Sequence, residues 1–174
     1  MSSAFDPGPP ADAAVVAAGE QWTLIFVRTL PHPLAKVWAA LTDPGRLDQW
    51  APFTAAGDLS RPGATTLTTV DGPDRTDLPA TVLRAEPPTL LEYTWGDDLL
   101  RWELAPAGDG TRLTLRHTLA EPDLAPMVAA GWHLCVAVLD RLLADDPVGV
   151  IRGRDAKAHG WDGLRAAYAD MFAR

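Results

Sequence analysis

One long helix, predicted over residues 126–146, constrains the fold of this chain more than any other segment. Its apolar side chains recur at helical spacing and therefore share one face, while Asp140, Arg141 and Asp145 are left for solvent. The members of this apolar stripe are Val128, Gly131, Trp132, Cys135, Val136, Leu139, Leu142 and Leu143. Such a helix needs a sheet to cover its apolar face. If that sheet curves around the helix without filling the space between them, the gap becomes a pocket.

The chain before this helix has the apolar and polar alternation of strands. A first strand is predicted from Gln21 to Leu30, where β-branched and aromatic residues are dense, and Pro31 and Pro33 end it. Further strands are predicted over residues 64–70, 78–86, 89–95, 99–105 and 111–119. The short connections favour an antiparallel meander, because parallel neighbours need long crossovers.

Three further helical segments complete the predicted architecture. A helix after Pro33 carries apolar residues at helical spacing, namely Leu34, Val37, Trp38 and Leu41. A short helical turn follows at residues 46–48. An amphipathic helix at residues 156–172 is marked by Trp161, Leu164, Tyr168 and Met171. The order of strand, short helices, strands and long helix indicates an α+β fold.

The length of 174 residues is typical of one domain. Residues 1–19 are rich in Pro, Ala, Gly and Asp without a sustained period, which predicts a flexible tail. Residues 20–146 are expected to form the folded domain. Residues 147–174 are expected to form a linker and a terminal amphipathic helix that packs on the domain or on a partner, which makes a homodimer one of the alternatives.

Charge and cysteine content narrow the classes of partner and compartment. Acidic residues outnumber Lys and Arg by 23 to 15, which disfavours nucleic acid because that binding requires clustered basic residues. Cys135 is the only cysteine, so no intramolecular disulfide forms and a reducing compartment is expected. The N-terminus lacks the features of a signal peptide, and no stretch approaches the roughly 18–20 apolar residues of a membrane span. We expect a cytoplasmic protein without membrane insertion.

Four segments of the chain resemble the SRPBCC superfamily: VWAALTDPGRLDQW at 37–50, EPPTLLEYTW at 86–95, RWELAPAGDGTRLTL at 101–115 and GWHLCVAVLDRLL at 131–143. The resemblance covers roughly residues 21–145. It implies the helix-grip fold shared with START domains, polyketide cyclases and birch-pollen-allergen-like proteins, in which a curved antiparallel sheet wraps around the long C-terminal helix.

Within this superfamily, the chain most resembles the branch named after the C-terminal domain of the heat-shock ATPase activator, the Aha-type co-chaperones. The matching motifs are structural, so the resemblance implies little about function. The terminal segment GWDGLRAAYADMF resembles tails of bacterial members of the branch, and the chain has no room for a further chaperone-binding domain. A bacterial stand-alone protein is therefore expected.

Apolar and aromatic residues predicted to face the long helix are the candidate ligand-binding set. Each aromatic ring suits a pocket wall or a packed core equally well, so both interpretations stay open. The set comprises Trp38, Trp50, Phe53, Tyr93, Trp102, Leu115, His117, Trp132, Cys135, Val136 and Leu139.

His117 is the only catalytic candidate, because strand alternation places its imidazole among leucines on the apolar face. It could orient a ligand or transfer a proton, although a hydrogen-bonded core histidine is the favoured interpretation. His133 is predicted to lie at a flank or on the surface, and Cys135 is predicted to be a buried, inert thiol. The histidines are too dispersed for a metal site, and no nucleotide-binding motif occurs, so neither metal nor cofactor is expected.

Several charged residues are predicted to be solvated. Asp97 and Asp98 are placed at a turn, and Arg28, Arg84 and Glu92 on the outer face of the sheet. A charge from this group that turned inward would be a functional candidate, because an unpaired buried charge is costly.

The leading functional hypothesis is a non-catalytic protein that binds a small apolar or aromatic molecule, such as a lipid or polyketide-like compound, in an internal cavity. The second is an enzyme similar to polyketide cyclases or dehydratases, with His117 moving a proton. The third is an Aha-type chaperone-activating or protein-interaction module, which an exposed apolar patch around Trp161, Leu164 and Tyr168 would support.

Overall fold

A curved sheet of eight antiparallel strands wraps around one long helix. The computed structural model describes residues 5–173. The strands, in chain order, are β1 (Asp12–Ala18), β2 (Gln21–Leu30), β3 (Phe53–Ala55), β4 (Gly63–Asp71), β5 (Asp74–Glu86), β6 (Leu90–Trp95), β7 (Asp98–Ala107) and β8 (Gly110–Leu119). Their order across the sheet is β1-β2-β8-β7-β6-β5-β4-β3. This arrangement confirms the predicted α+β helix-grip fold.

The helices are α1 (Leu34–Thr42), α2 (Pro44–Leu47), α3 (Ala125–Leu143) and α4 (Trp161–Phe172), with 3₁₀ turns at Pro122–Leu124 and Gly153–His159. Asp43 separates α1 from α2 and caps α2, because its Oδ1 accepts the backbone N–H of Arg46 over 3.1 Å. The long helix α3 ends three residues earlier than predicted, before Asp145 adopts a positive φ of 59°.

The register of the central strands places His117 on the face of the sheet toward α3. Within the sheet, His117 of β8 is paired with Leu24 of β2 on one side and with Leu100 of β7 on the other. Both leucines are fully buried, and His117 is 2% exposed. The period-two alternation therefore carries this imidazole into the interior, as the sequence predicts.

Residues 12–18 form an edge strand. The prediction of a flexible tail over residues 1–19 is therefore wrong for residues 12–18. Residues 1–4 of that predicted tail lie outside the described residues. Strand β1 pairs with β2 from Asp12 opposite Val27 to Ala18 opposite Gln21. Small Ala and Val side chains give only a weak alternating pattern, and the backbone hydrogen bonds come from the neighbouring strand, which the local sequence does not reveal.

Strand β5 begins at Asp74, four residues before its predicted start, and β3 is an unpredicted short strand. The DRTDLP segment contains residues typical of turns, yet its backbone continues the β4–β5 ladder from a turn at Asp71–Asp74. Gly72 adopts φ 59° in that turn, a conformation that favours glycine. Ladder pairing here outweighs local propensity.

Helix α3 is buried on all sides over part of its length, whereas the sequence predicts one buried face. Every residue from Trp132 to Leu139 is buried. The sheet covers one side and α4 packs on the other, with Leu164 and Tyr168 of α4 buried against the domain. Asp140, predicted to face solvent, is partly covered, and its carboxylate lies 2.7 Å from Nε2 of His32.

The stretch Pro122–Leu143 is long and apolar enough, by length and composition, to cross a membrane, although no such stretch is predicted from the sequence. In the most apolar window, 61% of the residues are buried inside the domain. The central helix of a soluble domain satisfies the same criteria, because it is apolar all round when it is covered on both sides.

Candidate ligand-binding pocket

A cavity of about 430 Å³ opens at the N-terminal half of α3. Its walls come from the first turns of α3, from the sheet residues Trp95, Asp98 and His117, and from the segment 151–157 that follows α3, with Pro52 at one side. Trp161, the first residue of α4, completes the rim. The cavity is thus formed where the sheet, α3 and the return of the chain meet.

Three residues of the predicted ligand-binding set line this cavity: His117, Trp132 and Cys135. The other eight lie in the packed core, all at most 9% exposed, namely Trp38, Trp50, Phe53, Tyr93, Trp102, Leu115, Val136 and Leu139. These side chains occupy the space beneath the middle of α3, where the sequence predicts a cavity. The open space lies toward one end of the helix.

Edge-to-face indole rings fill that central space. The ring of Trp102 lies 5.9 Å from that of Trp50 and 5.3 Å from that of Trp132, at angles of 84° and 86°. The N–H of Trp50 donates to the carbonyl of Ala40 over 2.9 Å, and that of Trp102 donates to the hydroxyl of Tyr93 over 3.0 Å. Because their polar atoms are satisfied, these rings are stable as core side chains.

Sequence reasoning missed several residues of the pocket wall, among them Trp95, Asp98, Met127 and the segment 151–157. The sequence contains one signal of the pocket, the glycine at position 131. A glycine inside a helix lowers stability by about 1 kcal/mol relative to alanine, so its presence suggests that the space is needed. A Cβ added at Gly131 would meet no atom within 4 Å, because the residue faces the open space. The tertiary positions of Trp95 and Asp98, by contrast, depend on how the sheet curves.

His117 is held between two partners that together determine its tautomer. The indole N–H of Trp132 donates to Nδ1 of His117 over 2.9 Å. An indole can only donate, so Nδ1 carries no proton and the proton of the neutral ring is on Nε2. Nε2–H then donates to Oδ2 of Asp98 over 2.8 Å. His117 is therefore a neutral, hydrogen-bonded histidine that lines the pocket and has no free nitrogen.

Asp98, predicted as a solvated turn residue, lies at the first position of β7 and faces the pocket. Its side chain is 37% exposed, so it is partly covered. The bond to His117 orients the carboxylate, and Trp95 is the residue paired with Asp98 across the β6–β7 turn. A charged acceptor thus lies next to an aromatic wall.

Cys135 lies in the wall of the pocket but is a poor nucleophile. Burial raises the pKa of its thiol to about 12, although the positive charge of Arg152 acts in the opposite direction. His117 is the one histidine in the pocket lining, and both of its nitrogens are already used. The arrangement does not support a cysteine–histidine dyad.

The segment after α3 is fixed over the pocket by arginine side chains. Arg152 is 7% exposed, and its guanidinium donates to the carbonyls of Ala51 and Asp48, both over 2.7 Å. Arg154 pairs with Asp71 at 3.2 Å and with Asp74 at 2.7 Å, across the β4–β5 hairpin. These bonds hold one pocket wall in place.

A second buried histidine lies on the opposite side of α3. The sequence predicts His133 at a flank or on the surface, but it is fully buried because α4 and the N-terminal segment cover it. Its Nε2–H donates to the carbonyl of Pro7 and its Nδ1 accepts the hydroxyl of Tyr168, both over 2.7 Å. The Tyr168 oxygen accepts the N–H of Ala11 over 2.8 Å. Burial lowers the pKa of His133, which keeps it neutral.

The charges predicted on the outer face of the sheet differ in burial. Arg84 is half exposed and pairs with Glu86, whereas Glu92 is 15% exposed and pairs with Arg101 at 3.2 Å. Arg28 is partly buried, and its Nη1 is buried without a hydrogen-bond partner among residues 5–173. Its positive charge lowers the pKa of the neighbouring His133. Arg28 therefore belongs to the contact between β2 and the N-terminal segment, and lies outside the pocket.

Within residues 5–173, no group of three or more His, Cys, Asp or Glu side chains converges in a way that could hold a metal ion. The pocket itself contains one histidine, one cysteine and one carboxylate in its lining. What this arrangement can do is enclose an apolar molecule and present one oriented, charged acceptor to it.

Three similar solved structures cover between 71% and 98% of this chain. CalU16 from Micromonospora echinospora has a TM-score of 0.68 and 23% identity, over 92% of this chain and 96% of that one. The protein encoded by gene BPP1335 of Bordetella parapertussis has a TM-score of 0.65 and 26% identity, over 98% and 93%. The AHSA1-like protein from Aeromonas hydrophila has a TM-score of 0.59 and 20% identity, over 71% and 92%.

No curated protein matches the chain significantly in sequence. The family profile described as "Activator of Hsp90 ATPase homolog 1-like protein" matches residues 31–144, from the start of α1 to the end of α3. This span contains the central strands of the sheet. It also contains α3 and β6, which each contribute to the pocket wall. The chain belongs to the Activator of Hsp90 ATPase homolog 1-like family of the SRPBCC superfamily.

Proposed function

We propose that the chain binds a small apolar or aromatic molecule in the pocket at the N-terminal half of α3. The volume of about 430 Å³ falls within the roughly 300–1,000 Å³ of small-molecule sites. The walls are largely apolar, with Trp95, Trp132 and Trp161 as aromatic surface and Met127 and Val128 as aliphatic surface. Burial of apolar ligand surface at about 25 cal/mol per Å² supplies the affinity.

The open space in front of Gly131 is the single observation that carries this proposal. A Cβ added at this position would lie at the pocket and meet no atom within 4 Å, and it would also improve helix propensity. The position is therefore empty at a small cost in stability, as expected where a ligand needs the room.

Substitution of Gly131 by leucine tests the proposal, because the new side chain fills the pocket from within α3. Gly163 in α4 provides a matched control, since a Cβ there also meets nothing within 4 Å and the residue lies outside the pocket. We expect Gly131→Leu to abolish binding of naphthalen-1-ylmethanol measured by isothermal titration calorimetry. Gly163→Leu should bind this probe as the parent chain does. Equal binding by both variants contradicts the proposal, and native mass spectrometry of the purified chain checks for a co-purifying ligand.

A catalytic function is the second candidate, and one observation favours it: His117 lines the pocket beside the ionisable Asp98. Proton transfer by His117 would first require one of its two hydrogen bonds to break, which weakens this candidate. Mass spectrometry of polyketide-like substrates incubated with the parent chain and with Asp98→Asn tests it. Turnover by the parent chain that is lost in Asp98→Asn would support an enzyme similar to cyclases.

The interaction hypothesis finds no support in the terminal helix. Leu164 and Tyr168 are buried against the domain, and Trp161 lies at the pocket rim under the guanidinium of Arg165, 5.5 Å from its ring centre. The apolar patch that a partner would need on α4 is used within the chain itself.

A further inference from the structure

Asp98 carries a negative charge that its partner does not neutralise. Because Trp132 donates to Nδ1 of His117, the imidazole is neutral and offers Asp98 a hydrogen bond without a positive charge. Among residues 5–173, no Lys or Arg nitrogen lies within 4.0 Å of this carboxylate. The single negative charge of Asp98 therefore remains at the wall of an apolar pocket. There, its attraction for a positive charge is stronger than in water.

The donors around this carboxylate are already used. The N–H of Trp95 donates to Oγ1 of Thr69 over 3.0 Å, and the N–H of Trp132 donates to His117. Oδ2 of Asp98 accepts from His117, while its Oδ1 has no protein donor among the described residues. The carboxylate of Asp98 can therefore still accept a hydrogen bond at the inner wall of the pocket. A hydrogen-bond donor on the ligand would satisfy it.

Two indole side chains are connected to Asp98: Trp95 is its cross-strand partner at the β6–β7 turn, and Trp132 bonds to the same histidine as Asp98. The rings of Trp95 and Trp132 are 6.1 Å apart and meet at 68°, so they form two walls at a steep angle. Indole faces attract cations through the ring quadrupole, and this attraction increases when the cation is removed from water. The aromatic walls and the carboxylate thus favour the same sign of ligand charge.

The basic residues of the pocket do not reverse this preference. Arg152 donates to the carbonyls of Ala51 and Asp48, and its charge is paired with Oδ1 of Asp48 at 3.3 Å. Arg154 is paired with two aspartates of the β4–β5 hairpin. Lys157 is exposed, so its charge is screened by solvent and its side chain would lose rotamer freedom on binding an anion. Asp98, in contrast, is already oriented by its bond to His117.

We propose that the pocket selects ligands with a hydrogen-bond-donating cationic group, an aromatic or alkyl ammonium, and that Asp98 is the residue that determines this specificity. This inference rests on the proposed function, since it names the chemical class that the same pocket binds. The apolar part of the ligand packs in front of Gly131, and its ammonium lies between the Asp98 carboxylate and the rings of Trp95 and Trp132.

Three naphthalene probes of nearly equal size separate charge from shape: naphthalen-1-ylmethylammonium, naphthalen-1-ylmethanol and naphthalene-1-carboxylate. Calorimetry on the full chain should show the ammonium binding at least tenfold more tightly than the alcohol, and the carboxylate more weakly than either. The affinity of the ammonium should also fall with added salt, while the affinity of the alcohol changes little. Equal or tighter binding of the alcohol or the carboxylate overturns the inference.

Substitution of Asp98 by asparagine removes the charge and keeps an oxygen that accepts the His117 N–H. We expect Asp98→Asn to weaken binding of the ammonium at least tenfold and binding of the alcohol by a smaller factor, because the alcohol donates to the same acceptor without carrying a charge. Asp97→Asn is the matched control, because this exposed neighbour loses the same charge outside the pocket. An equal effect of both substitutions overturns the inference. If Asp98→Asn does not fold, the order of affinity of the three probes for the parent chain still tests it.

Failure of the proposed function has a different signature. In that case Gly131→Leu leaves the binding of all three probes unchanged, or no probe binds, and the inference fails with it. If the probes compete for the space at Gly131 but show no preference for the ammonium, the pocket binds ligands and only its charge specificity is wrong. If the parent chain prefers the carboxylate probe and Lys157→Gln removes that preference, then Lys157 determines the charge specificity and the inference about Asp98 is wrong.

Discussion

Trp132 and His117 are joined by a bond that only one protonation state of the histidine permits. The indole N–H of Trp132 donates to Nδ1 of His117 over 2.9 Å, so this nitrogen must carry a lone pair. A helix residue thereby determines the tautomer of a strand residue, and through it the position of the Asp98 carboxylate. The contact between α3 and the sheet thus includes a hydrogen bond at the pocket.

Replacement of Trp132 by phenylalanine should destabilise the fold by about 1–3 kcal/mol, because it leaves Nδ1 of buried His117 without a donor while an aromatic ring remains. Urea denaturation measures the loss. Trp161→Phe is the control, since Trp161 is partly exposed and serves no such acceptor. Correlation of ring protons with ring nitrogens in ¹⁵N-histidine-labelled protein should show Nε2–H for His117; a proton on Nδ1 would contradict the assignment.

The stability of the chain should fall on acidification because of His133. Its folded-state pKa is lowered by burial, so below the ordinary value of 6.5 the unfolded chain binds more protons than the folded one. Stability from this group is complete above pH 6.5 and is lost as the pH falls from there toward the lowered pKa. Urea denaturation between pH 7.5 and 5 should show this slope.

The variant His133→Gln removes the titrating group and retains a donor and an acceptor. It should flatten the slope that His133 produces, whereas His159→Gln, at an exposed site, should leave it unchanged. If the slope persists in His133→Gln, other groups are responsible for the acid sensitivity.

Removal of the Tyr168 hydroxyl should loosen the N-terminal strand. Tyr168→Phe keeps the ring but leaves the Ala11 N–H and Nδ1 of His133 without their partner, which should cost about 2–4 kcal/mol in all. Amide hydrogen exchange should become faster in β1 in particular, because α4 holds that strand through this hydroxyl. Unchanged protection of β1 would show that its ladder with β2 is sufficient.

Two glycine substitutions should have opposite effects on stability. Gly131→Ala adds a methyl group where no atom lies within 4 Å, so helix propensity should raise the free energy of unfolding by about 0.5–1 kcal/mol. Gly110→Ala, in contrast, would place its Cβ against the backbone carbonyl of Leu30 and should be destabilising. Thermal unfolding of both variants measures the difference, and a destabilised Gly131→Ala would show that α3 has no free space at this position.

The Cys135 thiol should react slowly with alkylating reagents in the folded chain. Burial raises the pKa of this thiol to about 12, so very little thiolate is present at pH 8. Mass spectrometry of iodoacetamide-treated protein should show little modification until urea unfolds the chain. Rapid alkylation of the folded protein would mean that a neighbouring group activates this thiol.

Much of the fold is predictable from the sequence because its signals are local and repeated. The period of two in β7 and β8 and the apolar spacing in α3 are set by backbone geometry, so they indicate these elements and the inward position of His117. The edge strand β1 has no comparable local signal, because its small residues carry little pattern and its pairing partner lies in β2.

The sequence by itself determines that aromatic and apolar side chains collect between one long helix and an antiparallel sheet. Only the tertiary structure decides which of them fill the core and which surround open space, because an indole ring suits both positions equally well. The burial of His133, the inward position of Asp98 and the pocket wall at residues 151–157 depend on where α4 and its linker return to the domain. Those contacts join residues far apart in the chain, so the spacing of neighbouring residues does not predict them.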